Sequence, residues 1–413
     1  MKKPRIVVTG LGVVSSIGIG WHAFWDALLA GCSGITEVIG FDTTAFSTHR
    51  GGEVKNFTPE HFIAPLQLRQ YNRASQFAIA SAKMAVDDAH LDLSALPPQR
   101  VGVVIGTTMA EAQAIETIDT SWVKQGENRI HPRLALQYPG NVIGAHVAVE
   151  LGCRGPNFVI ATACAAGNYA LSYAFDLLRL GKADAMIAGG ADAFSRIAFM
   201  GFNRLFAVAS DRCQPFDRNR KGMMVGEGAG ILVVERLTDA VARQAPIYAE
   251  LLGYGMSCDA NHMTIPDIEG VSRVMRNALL DASLDPDDID YINAHGTGTP
   301  ANDRTECAAI RSVFGSHTDR LPVSSIKSML GHTMGAASAL EAIACVLAVK
   351  HDQLPPTINF ETPDPECDID CVPNISREHR VRIVLNNSFA FGGNNACLAF
   401  SEYATNGGKY HGS

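Results

Sequence analysis

Asn157-Phe158-Val159-Ile160-Ala161 runs into Thr162-Ala163-Cys164-Ala165-Ala166-Gly167 and then into an Ala- and Leu-rich segment that ends at Gly181. The first five residues read as a buried strand, and Ala166 to Leu180 carries apolar residues at helical spacing before a glycine stop. A strand that turns into a helix across a run of small residues is the repeating unit of an α/β protein. Working outward, further buried strands are predicted at Ile6 to Gly10, Arg100 to Gly106, Ala185 to Gly190 and Ala229 to Glu235, with a helix at Ser75 to Ala89. After the polar stretch Arg236 to Pro246 the grammar starts again. It gives strand Ile247 to Tyr254, helix Val271 to Ala282, strand Ile289 to Ala294, helices Asn302 to Phe314 and Gly335 to Lys350, and strands Val381 to Asn387 and Ala396 to Glu402. The fold class is therefore α/β in two halves, residues 1–245 and 246–413. Their matching element order suggests duplication, although no strict sequence repeat is visible. The polar, Gly-containing tail Thr405 to Ser413 reads as frayed.

The composition narrows the function. Among 413 residues, 34 basic and 42 acidic side chains give a net charge of -8, which leaves no basic footprint for a nucleic-acid backbone. With 47% hydrophobic residues, and 38 Gly and 19 Pro spread along the chain, disorder and collagen-like structure are excluded. No apolar run reaches the roughly 18 to 20 residues of a membrane span; the longest, Gly335 to Val349, carries Glu341. Met1-Lys2-Lys3-Pro4-Arg5 is basic, but the apolar run behind it is too short for a secretory signal and reads as a first strand. Ten scattered Cys form no disulfide framework and fit a reducing cytoplasm. The one close pair, Cys367 and Cys371, has no second pair or His nearby to complete a metal site, so no metal is expected.

Four stretches could carry chemistry. Cys164 sits where a strand turns into a helix N-terminus, where unpaired N–H groups and the helix dipole stabilise a thiolate and can face an oxyanion. The plainer reading is a buried structural thiol, the default for the other Cys. Asn293-Ala294-His295-Gly296-Thr297-Gly298-Thr299-Pro300 lacks the Gly-Lys-Ser/Thr ending of a phosphate loop. It suits a polar cavity floor where Thr297 and Thr299 bond a ligand's amide chain, or else His295 is a core imidazole bonded to backbone. Ser324-Ser325-Ile326-Lys327-Ser328-Met329-Leu330-Gly331-His332 precedes an Ala-rich helix bearing Glu341. An acid inside such a helix needs a partner, and Lys327 is the nearest in sequence; the alternative is a solvated Lys and a capping His. Finally, Phe389-Ala390-Phe391-Gly392-Gly393 ends a strand in a Gly-rich turn that either aims an N–H at a reacting carbonyl or is a simple hairpin. Two other Gly-rich runs, Gly10-Leu11-Gly12 and Gly226-Glu227-Gly228-Ala229-Gly230, do not complete a dinucleotide fingerprint.

Taken in this order, Thr162-Ala163-Cys164, Asn293 to Thr299 and Lys327 to His332 resemble the β-ketoacyl-(acyl carrier protein) synthases of the condensing-enzyme family, of the elongating type. Val7 to Gly12, Phe216-Asp217, Gly226 to Gly230 and Phe389 to Gly393 extend the match over nearly the whole chain. The resemblance implies a thiolase-like fold, with duplicated βαβαβαββ halves in a five-layered αβαβα core. It implies decarboxylative Claisen condensation of an acyl chain held on Cys164 with malonyl on its carrier protein. His295 and His332 would act on the malonyl unit, and the backbone N–H groups of Cys164 and Phe391 would form the oxyanion hole. Lys327 with Glu341 would keep the His pair in register, and Phe391 would gate acyl entry. Thr297, Thr299, Phe389 and Gly392 would line the substrate site, and Met109 the acyl pocket at the dimer interface. No metal or organic cofactor is implied, since the phosphopantetheine arm belongs to the partner acyl carrier protein.

Three positions depart from the housekeeping fatty-acid pattern. Ala165 follows the nucleophile where relatives commonly carry Ser, Met109 stands in a loop that is usually Gly-rich, and Ala390 lies between two Phe where relatives often have Gly. These favour a specialised type II polyketide or unusual fatty-acyl pathway, with housekeeping elongation as the alternative. A non-catalytic chain-length-determining subunit is opposed by Cys164, and a thiolase or initiating synthase by the Cys-His-His set. Either a homodimer or a heterodimer with a chain-length-factor-like subunit is expected.

Overall fold

The structure, a computed structural model, describes residues 3–126 and 131–404; the tail read as frayed lies outside them. The first half supplies β1 (Ile6–Ser15), α1 (Arg73–Asp88), β2 (Val101–Gly106), α2 (Val142–Leu151), β3 (Asn157–Ile160), α3 (Ala166–Arg179), β4 (Ala185–Asp192) and β5 (Gly228–Arg236). The second supplies β6 (Ala249–Cys258), α4 (Ile268–Ala282), β7 (Tyr291–Asn293), α5 (Pro300–Phe314), β8 (Val323–Ser324), α6 (Ala337–His351), β9 (Ile383–Phe389) and β10 (Asn394–Ser401). Each half therefore reads βαβαβαββ.

Strand order makes the duplication explicit. The first half is arranged β3-β2-β4-β5-β1 and the second β8-β7-β9-β10-β6, which is the same permutation. The senses match as well: the first three strands of each series pair in parallel, and the last two join antiparallel. The halves meet where Ile6, Val7 and Val8 of β1 pair antiparallel with Leu251, Glu250 and Ala249 of β6. Helices α1 and α2 cover the outer face of the first sheet, α4 with α5 beside it covers the second, and α3 and α6 fill the space between. Every residue of α6 from Ala337 to Val349 is buried, which explains an apolar sequence with no polar face. Met334–His351 is long and apolar enough to cross a membrane, but nearly all of it is enclosed by the protein.

Three expectations change. The strand Asn157 to Ala161 reads as buried, but among the described residues β3 pairs only with β2 and forms a sheet edge, with Asn157 and Phe158 exposed. Its apolar composition does not come from burial within this chain. Helices Trp21–Leu29, Ala112–Gln125, Val142–Leu151 and Arg196–Arg204 escape the periodicity argument. Ala112–Gln125, for example, buries only Ala112 and Ala114, while its apolar stripe Ile115, Ile118 and Trp122, at i, i+3 and i+7, is left unburied. The polar link Arg236 to Pro246 also contains a short helix, Leu237–Ala242.

A short repeat also appears once the halves are compared. Thr162-Ala163-Cys164-Ala165-Ala166-Gly167 leads into α3 as Thr333-Met334-Gly335-Ala336-Ala337-Ser338 leads into α6. Both cross a 3-10 turn whose first residue is left-handed, Ala163 at φ 49 and Met334 at φ 54. Gly335 thus occupies the place of Cys164 in the other half. A Cβ there would lie 2.5 Å from Thr107 Cα, against backbone that cannot move aside. Gly335→Ala should therefore cost about 1–3 kcal/mol of stability, and an unchanged urea midpoint would contradict this packing.

Candidate active site

Cys164 is the middle residue of the 3-10 turn Ala163–Ala165 before α3 and is 6% exposed. The backbone N–H groups of Cys164 itself and of Phe391 point at its sulfur, and Ser388 Oγ donates to its carbonyl at 3.0 Å. Burial pushes the thiol up to about 12, against the Lys327 charge and those two amides. This corrects the expectation of a stabilised thiolate, because desolvation outweighs the helix end and the resting group is a thiol.

His295 follows β7. Its N–H and that of Gly296 each donate at 2.8 Å to the two oxygens of Glu306, a buried residue of α5. Its carbonyl accepts from Lys327 Nζ at 2.7 Å, and Lys327 also forms a buried ion pair with Glu341 on α6. His332 lies beyond the helical turn Lys327–Leu330, with its N–H bonded to the Met224 carbonyl at 2.6 Å. The Met334 N–H donates at 3.1 Å to His332 Nδ1, so the neutral ring carries its proton on Nε2, which has no partner among the described residues. Burial first, then the Lys327 charge, holds both imidazoles well below the usual His range, so both are neutral near pH 7. Burial raises the Glu341 carboxyl to about 7 while Lys327 holds it down.

These groups converge. The reactive atoms of Cys164, His295 and His332 lie within 4.8 Å of one another, and the two imidazole rings stand nearly perpendicular with centroids 5.6 Å apart. Three such donors could also meet around a metal ion, but the Lys327 charge that depresses both imidazoles also repels a cation. A cavity of about 330 Å³ opens onto the trio and is lined by Thr297, Thr299, Phe389 and Phe391, among others. The Thr297 and Thr299 hydroxyls lie 2.8 Å apart, and Phe391, 37% exposed at the mouth, rests near the Phe202 ring at 5.9 Å. The Gly-rich turn forms the β9–β10 hairpin, the plainer reading of that stretch.

Met109 and Gly392 are not brought into this cavity. The Met109 N–H is tied to Asp192 at 2.9 Å, and the Gly392 N–H is turned away to the Met263 carbonyl at 2.8 Å. Sequence reasoning missed Glu306 and Asp303, which hold the His295 loop through the N–H groups of His295, Gly296 and Gly298. Their signal was available: both acids share the buried face of α5 with Ile310, at i, i+3 and i+7. The cavity-mouth residues Phe202, Phe206, Met263 and Ile265 had no such signal.

Residues 3–240 match the family model of the β-ketoacyl synthase N-terminal domain, and residues 248–361 that of its C-terminal domain. The chain belongs to the β-ketoacyl synthase family. This β-ketoacyl synthase is 42% identical to 3-oxoacyl-[acyl-carrier-protein] synthase 2 of Synechocystis sp., over 98% of the chain and 99% of that protein. It is 40% identical to the synthase 2 of Staphylococcus aureus, over 97% and 98%. Among solved structures it resembles a chain of the ishigamide ketosynthase/chain length factor (TM-score 0.95, 45% identity, 98% and 100% covered). It also resembles a chain of a type II polyketide acyl-carrier protein in complex with its ketosynthase (TM-score 0.88, 34% identity, 98% and 100% covered). The β-ketoacyl synthase thus has the thiolase-like fold and is a condensing enzyme of the acyltransferase class.

Two outcomes follow from the electrostatics. With its thiol raised to about 12, Cys164 should be alkylated by iodoacetamide at a rate rising about tenfold per pH unit from pH 7 to 10; a plateau below pH 8 would mean a stabilised thiolate. Lys327→Ala strands Glu341 in the interior and should cost about 3–5 kcal/mol, measurable by urea unfolding.

Proposed function

We propose that this β-ketoacyl synthase condenses an acyl chain held on Cys164 with malonyl on an acyl carrier protein, in a specialised type II polyketide or unusual fatty-acyl pathway. The observation that carries the chemistry is the unpaired Nε2–H of neutral His332 beside Cys164 and His295. In the first step the Cys164 sulfur attacks the acyl thioester, and the carrier thiol leaves with the cysteine's proton. The N–H groups of Cys164 and Phe391 receive the oxyanion of the addition. Malonyl then loses CO₂, and the enolate oxygen accepts hydrogen bonds from His295 and His332; neutral donors suit it because decarboxylation needs no proton from the enzyme. The enolate carbon attacks the acyl thioester and the Cys164 sulfur leaves as a thiolate, which takes a proton from water to return to the resting thiol. Thr297 and Thr299 bond the phosphopantetheine amides, and Lys327 with Glu341 fixes the His295 backbone. No metal or organic cofactor enters the steps.

The specialised pathway is supported by Ala165, Met109 and Ala390 and by the 45% identity to the ishigamide ketosynthase/chain length factor. Housekeeping fatty-acid elongation is the second reading, favoured by the 42% identity to a synthase 2. A subunit partner, identical or chain-length-determining, would pair along β3, where an open strand edge carries exposed Phe158, with Tyr173 of α3 nearby at 6.5 Å.

Intact-mass measurement against carrier thioesters of different length and unsaturation separates these readings. Acylation confined to Cys164 and to unusual chains is expected; efficient acylation by ordinary saturated chains would favour housekeeping elongation, and no adduct from any donor would refute the nucleophile. Cys164→Ala should abolish chain transfer. His332→Ala should lower CO₂ release from malonyl carrier by at least about 10²-fold, and a normal rate would remove His332 from its role.

A further inference from the structure

Asp192 has no part in the steps above, yet it sits against the turn that carries His332. It is the last residue of β4, it is fully buried, and four donors meet its carboxylate. One oxygen accepts from the Thr107 hydroxyl at 2.7 Å and the Met109 N–H at 2.9 Å. The other accepts from the Thr108 N–H at 2.7 Å and the Gly335 N–H at 2.6 Å. The Thr107 hydroxyl itself accepts from the Ala110 N–H at 2.9 Å, which leaves its proton to Asp192. Close backbone approaches make the cradle: a Cβ on Gly190 would lie 2.2 Å from the Gly335 carbonyl oxygen. Burial pushes the Asp192 carboxyl up to about 6 and the four donors hold it down, so it is a carboxylate near pH 7.

The duplication shows what this carboxylate occupies. Gly335 stands in the second half where Cys164 stands in the first, and the Cys164 N–H is turned to the reacting sulfur. The corresponding N–H of Gly335 is turned to Asp192. One half thus keeps its elbow amide at the reacting centre, and the other has filled the same place with an anion of its own. The filled elbow abuts His332, whose main chain is fixed on its other side. There its N–H donates to the Met224 carbonyl at 2.6 Å and its carbonyl accepts from the Gly226 N–H at 2.9 Å. Among the described residues the ring has a single hydrogen-bond partner, the Met334 N–H on Nδ1. Met334 is left-handed at φ 54, a conformation that a Cβ disfavours, and the next N–H along the chain is the one that Asp192 holds. The peptide that decides the His332 tautomer is therefore joined directly to the peptide that Asp192 clamps.

We propose that Asp192 is a positioning residue for decarboxylation: by clamping the Gly335 N–H it holds the left-handed turn whose Met334 N–H keeps the His332 proton on Nε2, facing the malonyl unit. The role rests on the reaction proposed above. No bond forms or breaks at Asp192, and its carboxylate acts on His332 through backbone alone. An acid is required at this place because all four neighbours donate, and an amide would turn a donor of its own toward two of them.

The test compares the histidine-labelled full-length protein with its Asp192→Asn variant by nitrogen NMR, using His332→Gln to assign the ring. Acyl loading of Cys164 from a carrier thioester and CO₂ release from malonyl carrier are measured on both. The unaltered protein should show His332 as the Nε2–H form near pH 7; the Nδ1–H form would overturn the proposal whether or not the variant folds. In Asp192→Asn the His332 signals should shift toward a mixture of the two neutral forms, and CO₂ release should fall at least about tenfold. Loading should stay within about threefold, because the N–H groups of Cys164 and Phe391 are untouched. A folded variant that keeps both the original His332 signals and the original CO₂ release would overturn the role, and so would an equal loss of loading and CO₂ release. An unaltered protein that releases no CO₂ sinks the reaction reading instead, and is told apart because its His332 signals still respond to Asp192→Asn.

Discussion

One buried cation organises the site. Lys327 is 1% exposed, pairs with Glu341 from the enclosed helix α6, and donates to the carbonyl of His295. Removed from water, a single charge acts over several ångströms with little screening. It therefore adds to the burial that keeps both imidazoles neutral, and opposes, without overcoming, the desolvation that keeps Cys164 a thiol. Two neutral donors beside a thiol make an arrangement that offers hydrogen bonds to a developing anion without first protonating it. Glu341 makes the arrangement tolerable, since an unpaired ammonium at that depth would destabilise the fold.

The same site lies on the seam between the halves. Cys164 comes from the first half and both His from the second, and they meet because the N-terminal ends of α3 and α6 come together there. That contact leaves no room for side chains: a Cβ on Gly167 would lie 2.7 Å from the Ala339 nitrogen, and the Asn168 N–H already donates to Ser338 Oγ at 3.0 Å. Asn386 Nδ2 donates to Asn168 Oδ1 and Asn168 Nδ2 donates to the Asn386 carbonyl, so the strand that ends at Phe389 is tied to the helix that follows Cys164. Small residues around Cys164 serve helix packing as much as substrate access.

Much of this was legible in the sequence, and for identifiable reasons. Strands β1, β2, β4, β5 and β9 are buried on both faces, so their Val- and Ile-rich runs stood out. Glu341 was recognisable as needing a partner because its helix has no polar face, and Lys327 is that partner. Asn157 to Ile160 misled because apolar strand composition does not distinguish an interior strand from an uncovered edge. Ala112–Gln125 was missed although Ile115, Ile118 and Trp122 repeat at i, i+3 and i+7, a stripe that the structure leaves unburied. Glu306 acts through backbone amides eleven and ten residues away, a pairing that only the turn of the chain after β7 creates.

Gly335 has a consequence for counting. It stands where the duplicated half would carry its own nucleophile, and the Thr107 backbone fills the space that a side chain would need. The two halves are therefore not interchangeable at this elbow: one holds a sulfur there and the other has given the same place to packing. Each chain offers one thiol at its elbow despite the doubled architecture. In any assembly, sites of this kind are counted by chains and not by halves.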